Sequence, residues 1–339
     1  MSEAINLDGK SILVTGGTGS FGQAFVREVV ARFSPRRLVV FSRDETKQHE
    51  MAQRLSLEEH PSLRYFIGDV RDGSRLEMAM NGVDYVVHAA ALKYVPIAEY
   101  NPFECINTNV HGSENVIRAA IRAGVKRVMM ISTDKAVSPA NLYGATKLAA
   151  EKLMVAANNL SGEHGTRFSV CRYGNVVGSR GSIVPLYERL IDEGADELPI
   201  TDERMTRFWI KLEGGVDLVL MGLNAMEGGE IFVPKLKATR VVDIATVMAP
   251  ALPHKIIGIR PGEKINESLL SPEETRHTYD MGDCYVVQPA LSFWHENGYT
   301  PSGGDRVAED FAYVSDNDDL LMPLDELKGV IESVVKKRR

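Results

Sequence analysis

Residues 11–22 read SILVTGGTGSFG. Ser11 to Thr15 is a short apolar, β-branched run, the composition of a parallel strand buried on both faces. It leads straight into glycines at 16, 19 and 22, and then into a helical pattern with Phe21, Phe25, Val29 and Val30 on one side. Strand, glycine turn, helix is the context in which such glycines read as a dinucleotide-binding fingerprint. They let the backbone approach a pyrophosphate closely, and the helix N-terminus attracts its charge. Gly16, Thr18, Gly19, Ser20, Phe21 and Gly22 are the first candidate cofactor contacts.

The next strand, Arg37 to Phe41, ends in Ser42, Arg43 and Asp44, where the adenine ribose belongs. An acid there selects the free 2′-hydroxyl of NAD, whereas an arginine suits the 2′-phosphate of NADP. Both signs are present. Arg43 comes first and Lys47 adds a second cation, so the sequence points to NADP, with Ser42 beside it. A third strand, Arg64 to Ile67, delivers Asp69 and Val70 to the adenine edge. A fourth, Asp84 to His88, ends in Ala89, Ala90 and Ala91, small enough for the chain to pass under a flat cofactor. His88 reads as structural. Lys93, just past that strand, faces the reaction cleft or solvent with equal warrant.

Pro102 to Ala123 is one long helical pattern holding Asn107, Asn109 and Asn115. Buried amides need partners, so at least one should bond backbone or water beside the site. Arg127 to Ser132 is a fifth strand and delivers residues 132–147, STDKAVSPANLYGATK. On a helix, Tyr143 and Lys147 share one face. An ammonium near a phenol favours the phenolate, giving a base near neutral pH. Thr133 completes a relay, and Asp134 with Lys135 forms an acid–base pair at the strand's end. Tyr and Lys at this spacing are common on helices; the glycine turn upstream is what gives them weight.

The composition agrees with an ordinary globular chain. Of 339 residues, 44% are hydrophobic and 25% charged, enough for one large or two modest domains. A formal net charge of −7 argues against a general nucleic-acid binder. Cys105, Cys171 and Cys284 are odd in number and far apart, which suits free thiols in a reducing cytoplasm rather than disulfides or a metal site. MSEAINLDGK lacks the apolar core of a signal peptide, and no run is long enough to span a bilayer. The basic residues Lys336 to Arg339 are expected to be a solvated tail.

After a sixth strand, Arg167 to Cys171, Gly174, Gly178 and Gly181 mark an irregular crossing between domains. Glu213 to Met226 reads as a helix. Glu230 to Val233 reads as a strand that returns to the first sheet. Arg207 lies in RMTRFW, reaching phosphate or held in a local ion pair. Arg260 and Glu263 sit in a tight Pro-Gly turn, GIRPGEK, and Arg is suited to bidentate phosphate binding. Residues 271–339 carry no readable site.

TGGTGSFG, SRDE, FIGDVRD, AALKYVPIAEYNP, STDKA, NLYGATK, RYGNVVGSRGS, PITDERMTRFW, GGEIFVPK and GIRPGEK appear in this order. The chain thereby resembles the extended short-chain dehydrogenase/reductases. Within them it closely resembles the C5-inverting UDP-N-acetylglucosamine 4,6-dehydratases of pseudaminic-acid biosynthesis, which feeds flagellin glycosylation. The resemblance runs from about residue 10 to 265. It implies a doubly wound parallel sheet of order 3-2-1-4-5-6-7 with a smaller C-terminal lobe. Residues 1–178 and about 204–240 would form the Rossmann domain, and 179–203 with 241–339 the substrate lobe. It implies NADP as cofactor, UDP-N-acetylglucosamine as substrate, no metal and a cytoplasmic homohexamer. Thr133, Asp134, Lys135, Tyr143 and Lys147 would be catalytic. Asn109 and Val176 would join the cofactor site, with Val176 near the nicotinamide. Lys93, Asn175, Arg180, Gly181, Ser182 and Arg207 would meet substrate, Arg260 its diphosphate and Glu263 its ribose or a neighbouring side chain. Two other readings stay open: a UDP-sugar 4-epimerase on the same scaffold, and a non-catalytic NADP sensor. For Lys135 to take a proton from C5 it must be neutral, so burial or a neighbouring cation is expected to lower its pKa.

Overall fold

The computed structural model describes residues 5–162, 165–290 and 304–338. Six parallel strands open the chain: β1 (Ser11–Thr15), β2 (Arg37–Ser42), β3 (Leu63–Ile67), β4 (Tyr85–His88), β5 (Arg127–Thr133) and β6 (Arg167–Tyr173). They pair in the order β3-β2-β1-β4-β5-β6, and the strand Ile231–Pro234 then pairs parallel with β6. This is the expected doubly wound order. The reversal between β2-β1 and β4 leaves a crevice at the carboxyl ends of the strands.

Side-chain alternation explains the layers. Leu13, Val39, Val86 and Val128 point to one face and meet the helices Gly73–Met80, Gly112–Ala123 and Leu142–Ser161. Ile12, Val14, Val40, Val87 and Met129 point to the other, against Ser20–Arg32 and Leu212–Ala225. With both faces covered, these strands must read as continuous apolar runs, as they do.

The chain departs from expectation in three places. The segment 241–339 does not stay with the lobe. Cys284–Val287 pairs antiparallel with Ile231–Pro234, and Thr278–Asp280 and Asp305–Arg306 extend the sheet further. They cover an edge that would otherwise offer unpaired backbone groups. The pattern from Pro102 to Ala123 is not one regular helix either. It holds a π-helical turn, Asn107–His111, between Pro102–Ile106 and Gly112–Ala123. The helix Leu324–Arg338 carries the chain through Lys336, so the basic end begins as helix rather than a loose tail; Arg339 lies outside the described residues.

The smaller lobe is built on two short sheets. One joins Asn175–Val176, Thr206–Ile210 and Ala238–Arg240, and the other joins Leu198–Ile200 to His254–Ile256. Its core brings Val184, Tyr187, Trp209, Ile244, Leu327 and Ile331 together from segments far apart in sequence. Among the described residues no helix is long and apolar enough to cross a membrane.

Candidate active site

The turn after β1 forms the floor of a cleft of about 660 Å³. Gly16 has φ +66°, and a Cβ there would lie 2.8 Å from Ala90 N and 2.9 Å from the Ala89 carbonyl oxygen. Two backbones thus touch where β1 and β4 end, which only glycine permits. The helix Ser20–Arg32 starts without a side-chain cap, leaving its first N–H groups free for an anion. Gly16, Thr18, Gly19, Ser20, Phe21, Gly22, Ser42, Arg43, Lys47, Asp69, Val70, Ala89 and Ala90 all line this cleft, as do Tyr143, Lys147 and Val176. Thr108 Oγ1 and Ser132 Oγ belong to lining residues and are buried with no hydrogen-bond partner. Orphaned buried hydroxyls of that kind fit a polar ligand.

At the adenosine end the charges are sorted. Asp44 Oδ1 accepts from Lys47 N and caps the helix Glu45–Arg54, while Oδ2 pairs with Lys47 Nζ at 2.7 Å. Arg43 is half exposed and lies 3.6 Å from Asp69. Burial works to raise the Asp69 pKa, but hydrogen bonds from Arg71 and the charges of Arg71 and Arg43 hold it below the usual carboxylate value.

Asn109 stands behind the cleft wall. It is buried, accepts from Leu92 N at 2.8 Å, and donates to Leu92 O and Thr146 Oγ1, both at 3.0 Å. It therefore fixes the Ala89–Lys93 segment and is corrected from a cofactor contact to a support. His88 bridges Thr15 and Ser113 at 2.7 and 3.1 Å, and burial pulls its pKa down to about 3, with the Lys147 charge adding to the effect.

The reacting groups come from the end of β5 and the first turns of Leu142–Ser161, whose N-cap is Asn141. Thr133 Oγ1 donates to Asp134 Oδ1 at 2.8 Å. Lys135 Nζ donates to the same oxygen and to Asn175 Oδ1, both at 3.0 Å. Asp134 is fully buried and its Oδ2 has no hydrogen-bond partner. Burial pushes the Tyr143 phenol up to about 12, against the charge of Lys135 and a hydrogen bond with Thr133. Burial pulls Lys147 down to about 8, with the Glu151 charge opposing, and its Nζ donates to Ile131 O at 2.7 Å. The Lys135 charge acts to lower the phenol's pKa and that of Asp134 to raise it. The expected neutral Lys135 is also corrected: burial works to lower its pKa, but Asp134 and Glu267 outweigh it and hold the ammonium.

A second cavity, about 290 Å³, opens from the first. Lys135, Asn175, Val176, Gly181 and Ser182 line both. Arg207, Arg260 and Glu263 line the second, while Lys93 and Arg180 line the first. Gly181, at φ +76°, lies so close to Tyr94 that a Cβ would meet its ring at 2.5 Å. Arg207 is not a free phosphate clamp. Its Nη1 donates to the carbonyls of Thr206 and Ile265, and its Nη2 to that of Lys264. Arg260 is half exposed and 4.0 Å from Glu263. Sequence reasoning missed Glu267, a buried carboxylate of this second cavity. Its position in EKINESL follows no period, and only the folded chain brings it to Lys135. Among the described residues no His, Cys, Asp or Glu cluster could hold a metal.

The family model described as polysaccharide biosynthesis protein matches residues 12–289. The chain is 53% identical over 327 residues to the inverting UDP-N-acetylglucosamine 4,6-dehydratase of Campylobacter jejuni, covering 95% of this chain and 97% of that one. It is 41% identical over 333 residues to a UDP-glucose 4-epimerase of Rickettsia canadensis, covering 95% of each. Among solved structures, Pen from Bacillus thuringiensis aligns with a TM-score of 0.89 at 35% identity, over 97% of this chain and 99% of that one. A dTDP-glucose 4,6-dehydratase from Streptomyces venezuelae, DesIV, solved with NAD, shares the fold at a TM-score of 0.66. It is 23% identical and covers 75% of this chain and 86% of that one.

Proposed function

The chain belongs to the polysaccharide biosynthesis protein family, within the extended short-chain dehydrogenase/reductases, and from that premise we propose that it is a C5-inverting UDP-N-acetylglucosamine 4,6-dehydratase, a lyase. The product is UDP-2-acetamido-2,6-dideoxy-L-arabino-hexos-4-ulose. The carrying observation is the Asp134–Lys135 pair, which follows Thr133 directly: Lys135 lines both cavities, and the buried Asp134 is hydrogen-bonded to it from behind. A 4-epimerase needs a Tyr, a Lys and a Thr but has no use for an acid–base pair at C5 and C6.

A bound nicotinamide dinucleotide supplies the acceptor and later the donor of one hydride. The chain supplies the proton chemistry. Tyr143, beside Thr133 and on one helix with Lys147, takes the proton of the C4 hydroxyl. The C4 ketone acidifies C5, whose proton goes to Lys135. Asp134 passes the proton on from Lys135 to the departing C6 hydroxyl, a role that suits its unpartnered Oδ2. Asn175 holds the Lys135 ammonium. Arg260 reaches the diphosphate, Glu263 the ribose, and Lys93, Arg180, Gly181 and Ser182 the nucleotide sugar.

NADP is the proposed cofactor. What supports it is the commitment of Asp44 to its helix cap and to Lys47, while Arg43 stays half exposed at the cleft mouth. A closed homo-oligomer, a hexamer by resemblance, would cover the exposed Tyr100 and Phe103. The three unpaired, buried cysteines suit a reducing cytoplasm. The product would feed pseudaminic-acid synthesis and flagellin glycosylation. The test is incubation with UDP-N-acetylglucosamine in heavy water and product identification by NMR. A 4-keto-6-deoxy sugar inverted and deuterated at C5 is expected; a C4 epimer alone overturns the reading.

A further inference from the structure

Glu267 is the buried charge that the proposed chemistry leaves without a task. Its backbone is fixed on both sides, with its N–H donating to Ser315 Oγ and its carbonyl accepting from Ser315 N, each at 2.9 Å. Its side chain is 3% exposed. The carboxylate ends among three cations, with Lys135 at 3.6 Å, Lys264 at 3.7 Å and Arg207 at 4.0 Å. All three hydrogen-bond elsewhere, Lys135 to Asp134 and Asn175. Lys264 Nζ donates to Val137 O, and Arg207 donates to three carbonyls. Oε2 has no hydrogen-bond partner. An unsatisfied buried carboxylate oxygen is costly, more so than a neutral group in the same place.

Lys135 presents the complementary problem. It is held as an ammonium in the resting site, yet a base at C5 needs a free lone pair. Its nearest acceptor, Asp134 Oδ1, already takes two hydrogen bonds, from Thr133 and from Lys135 itself. Asn175 Oδ1 is an amide oxygen and no proton store. The geometry points to Glu267 as the residue that takes the proton Lys135 must shed before it can receive one from C5 of the nucleotide sugar. This rests on the dehydratase reading above and adds a positioning residue to it.

The step balances. An N–H bond of Lys135 breaks and an O–H bond forms on Glu267, so ammonium and carboxylate become amine and carboxylic acid with no change in net charge. The Lys135 lone pair then takes the C5 proton, and the C5–H electrons pass into the enolate of the C4 ketone. Asp134 relays that proton from Lys135 to the C6 oxygen, which leaves as water while the enolate electrons form the C5–C6 double bond. Glu267 returns its proton to Lys135, and the resting charges are restored. Four titratable groups face Glu267: Asp134, Lys135, Arg207 and Lys264. Burial and the Asp134 charge raise its carboxyl pKa against the three cations, which makes it a ready receiver.

The test reads two steps in one sample. Wild type, Glu267→Gln and Glu267→Asp are mixed with UDP-N-acetylglucosamine and the same nicotinamide cofactor. Cofactor reduction is followed as the initial, pre-steady-state rise of near-ultraviolet absorbance, before hydride returns to the sugar, and the 4-keto-6-deoxy product by NMR. Because both rates scale with the folded fraction, their ratio is independent of any loss of folded enzyme. In Glu267→Gln the ratio of product formation to cofactor reduction falls by about 100-fold, the scale of losing an acid–base group. In Glu267→Asp, which keeps a carboxyl, much of the ratio returns. An unchanged ratio in Glu267→Gln, or no recovery in Glu267→Asp, overturns the inference alone. A wild type that yields only a C4 epimer overturns the dehydratase reading, and this inference with it.

Discussion

Arg172 and Lys135 are both cations set between two carboxylates inside the fold, but their surroundings differ. All five donors of Arg172 are used. Its Nε and Nη2 bond Glu151 at 3.1 and 2.6 Å, Nη1 and Nη2 bond Glu274 at 2.8 Å each, and Nη1 also bonds Leu269 O at 3.0 Å. Glu274 further closes a capping box with Ser271. Around Lys135, by contrast, Asp134 Oδ2 and Glu267 Oε2 keep unused lone pairs, and Glu267 stops 3.6 Å short of the ammonium. Burial of charge alone therefore does not mark a reacting site. The mark is hydrogen-bonding capacity left over after burial, which the Arg172 cluster lacks and the Lys135 cluster retains.

One chemical change, carboxylate to amide, separates the two clusters. Asp134→Asn keeps an acceptor for Thr133 and Lys135 but removes the proton carrier, so turnover should fall by about 10²–10⁴ with the thermal midpoint little moved. A loss of stability matching the loss of turnover would place Asp134 with the structural cluster. Glu151→Gln should do the reverse. It removes one partner from a fully buried pair and costs about 3 kcal/mol of stability in denaturant unfolding, while activity per folded molecule stays within a few-fold. An unfolding midpoint equal to wild type would break the comparison.

Legibility followed the same division. The order of strands β1 to β6 was readable because parallel strands covered on both faces are bounded apolar runs, and SILVTGGTGSFG announces its turn with glycines. Tyr143, Lys147, Thr133, Asp134 and Lys135 lie within fifteen residues, so their association needed no tertiary knowledge. Glu267 meets Lys135 only through the return of a distant segment, and Arg172 meets Glu274 the same way. No local period encodes either meeting. The misreading of Asn109 has a similar cause: sequence shows that a buried amide needs partners, not that Leu92 will supply them. The strands after residue 271 were missed because CYVV reads as a short apolar piece with no sign of the edge it covers.

Arg43 offers an intermediate case, since it is paired with Asp69 but half exposed at the cleft mouth. Arg43→Ala should weaken NADP about tenfold relative to NAD, because only the 2′-phosphate loses a charge-assisted contact. Equal weakening of both, read by fluorescence titration, would remove Arg43 as the discriminator.

The smallest effect is the sign of a pH slope. Glu274 has a lowered pKa: burial raises it, but the hydrogen bonds and charge of Arg172 win. Its stabilisation is present above the unfolded glutamate value of about 4.3 and is lost as pH falls through its own lower value. Glu267 has a raised pKa, so between about 4.3 and that higher value the folded chain holds a proton the unfolded chain has lost. Stability from this group therefore rises as pH falls across that window, by at most about 1.4 kcal/mol per pH unit. Thermal midpoints of wild type, Glu267→Gln and Glu274→Gln against pH should show the variants departing from wild type with opposite slopes. Slopes of the same sign would dissolve the distinction between the clusters.

The lobe is clasped to the catalytic turn by two bonds running in opposite directions. Asn141 Nδ2 donates to Gly262 O at 2.8 Å, and Lys264 Nζ donates to Val137 O at 2.7 Å. Each partner is a main-chain carbonyl, so the clasp is indifferent to which side chains surround it. Breathing of the molecule at that seam must break both at once, at roughly 1 kcal/mol or more apiece. Slow amide exchange is then expected along 261–267 together with 135–145, as a single opening unit, and faster exchange in the irregular crossing at 178–181. Ligands would then come and go by way of the crossing, while the wall that carries Glu267 keeps time with the catalytic helix.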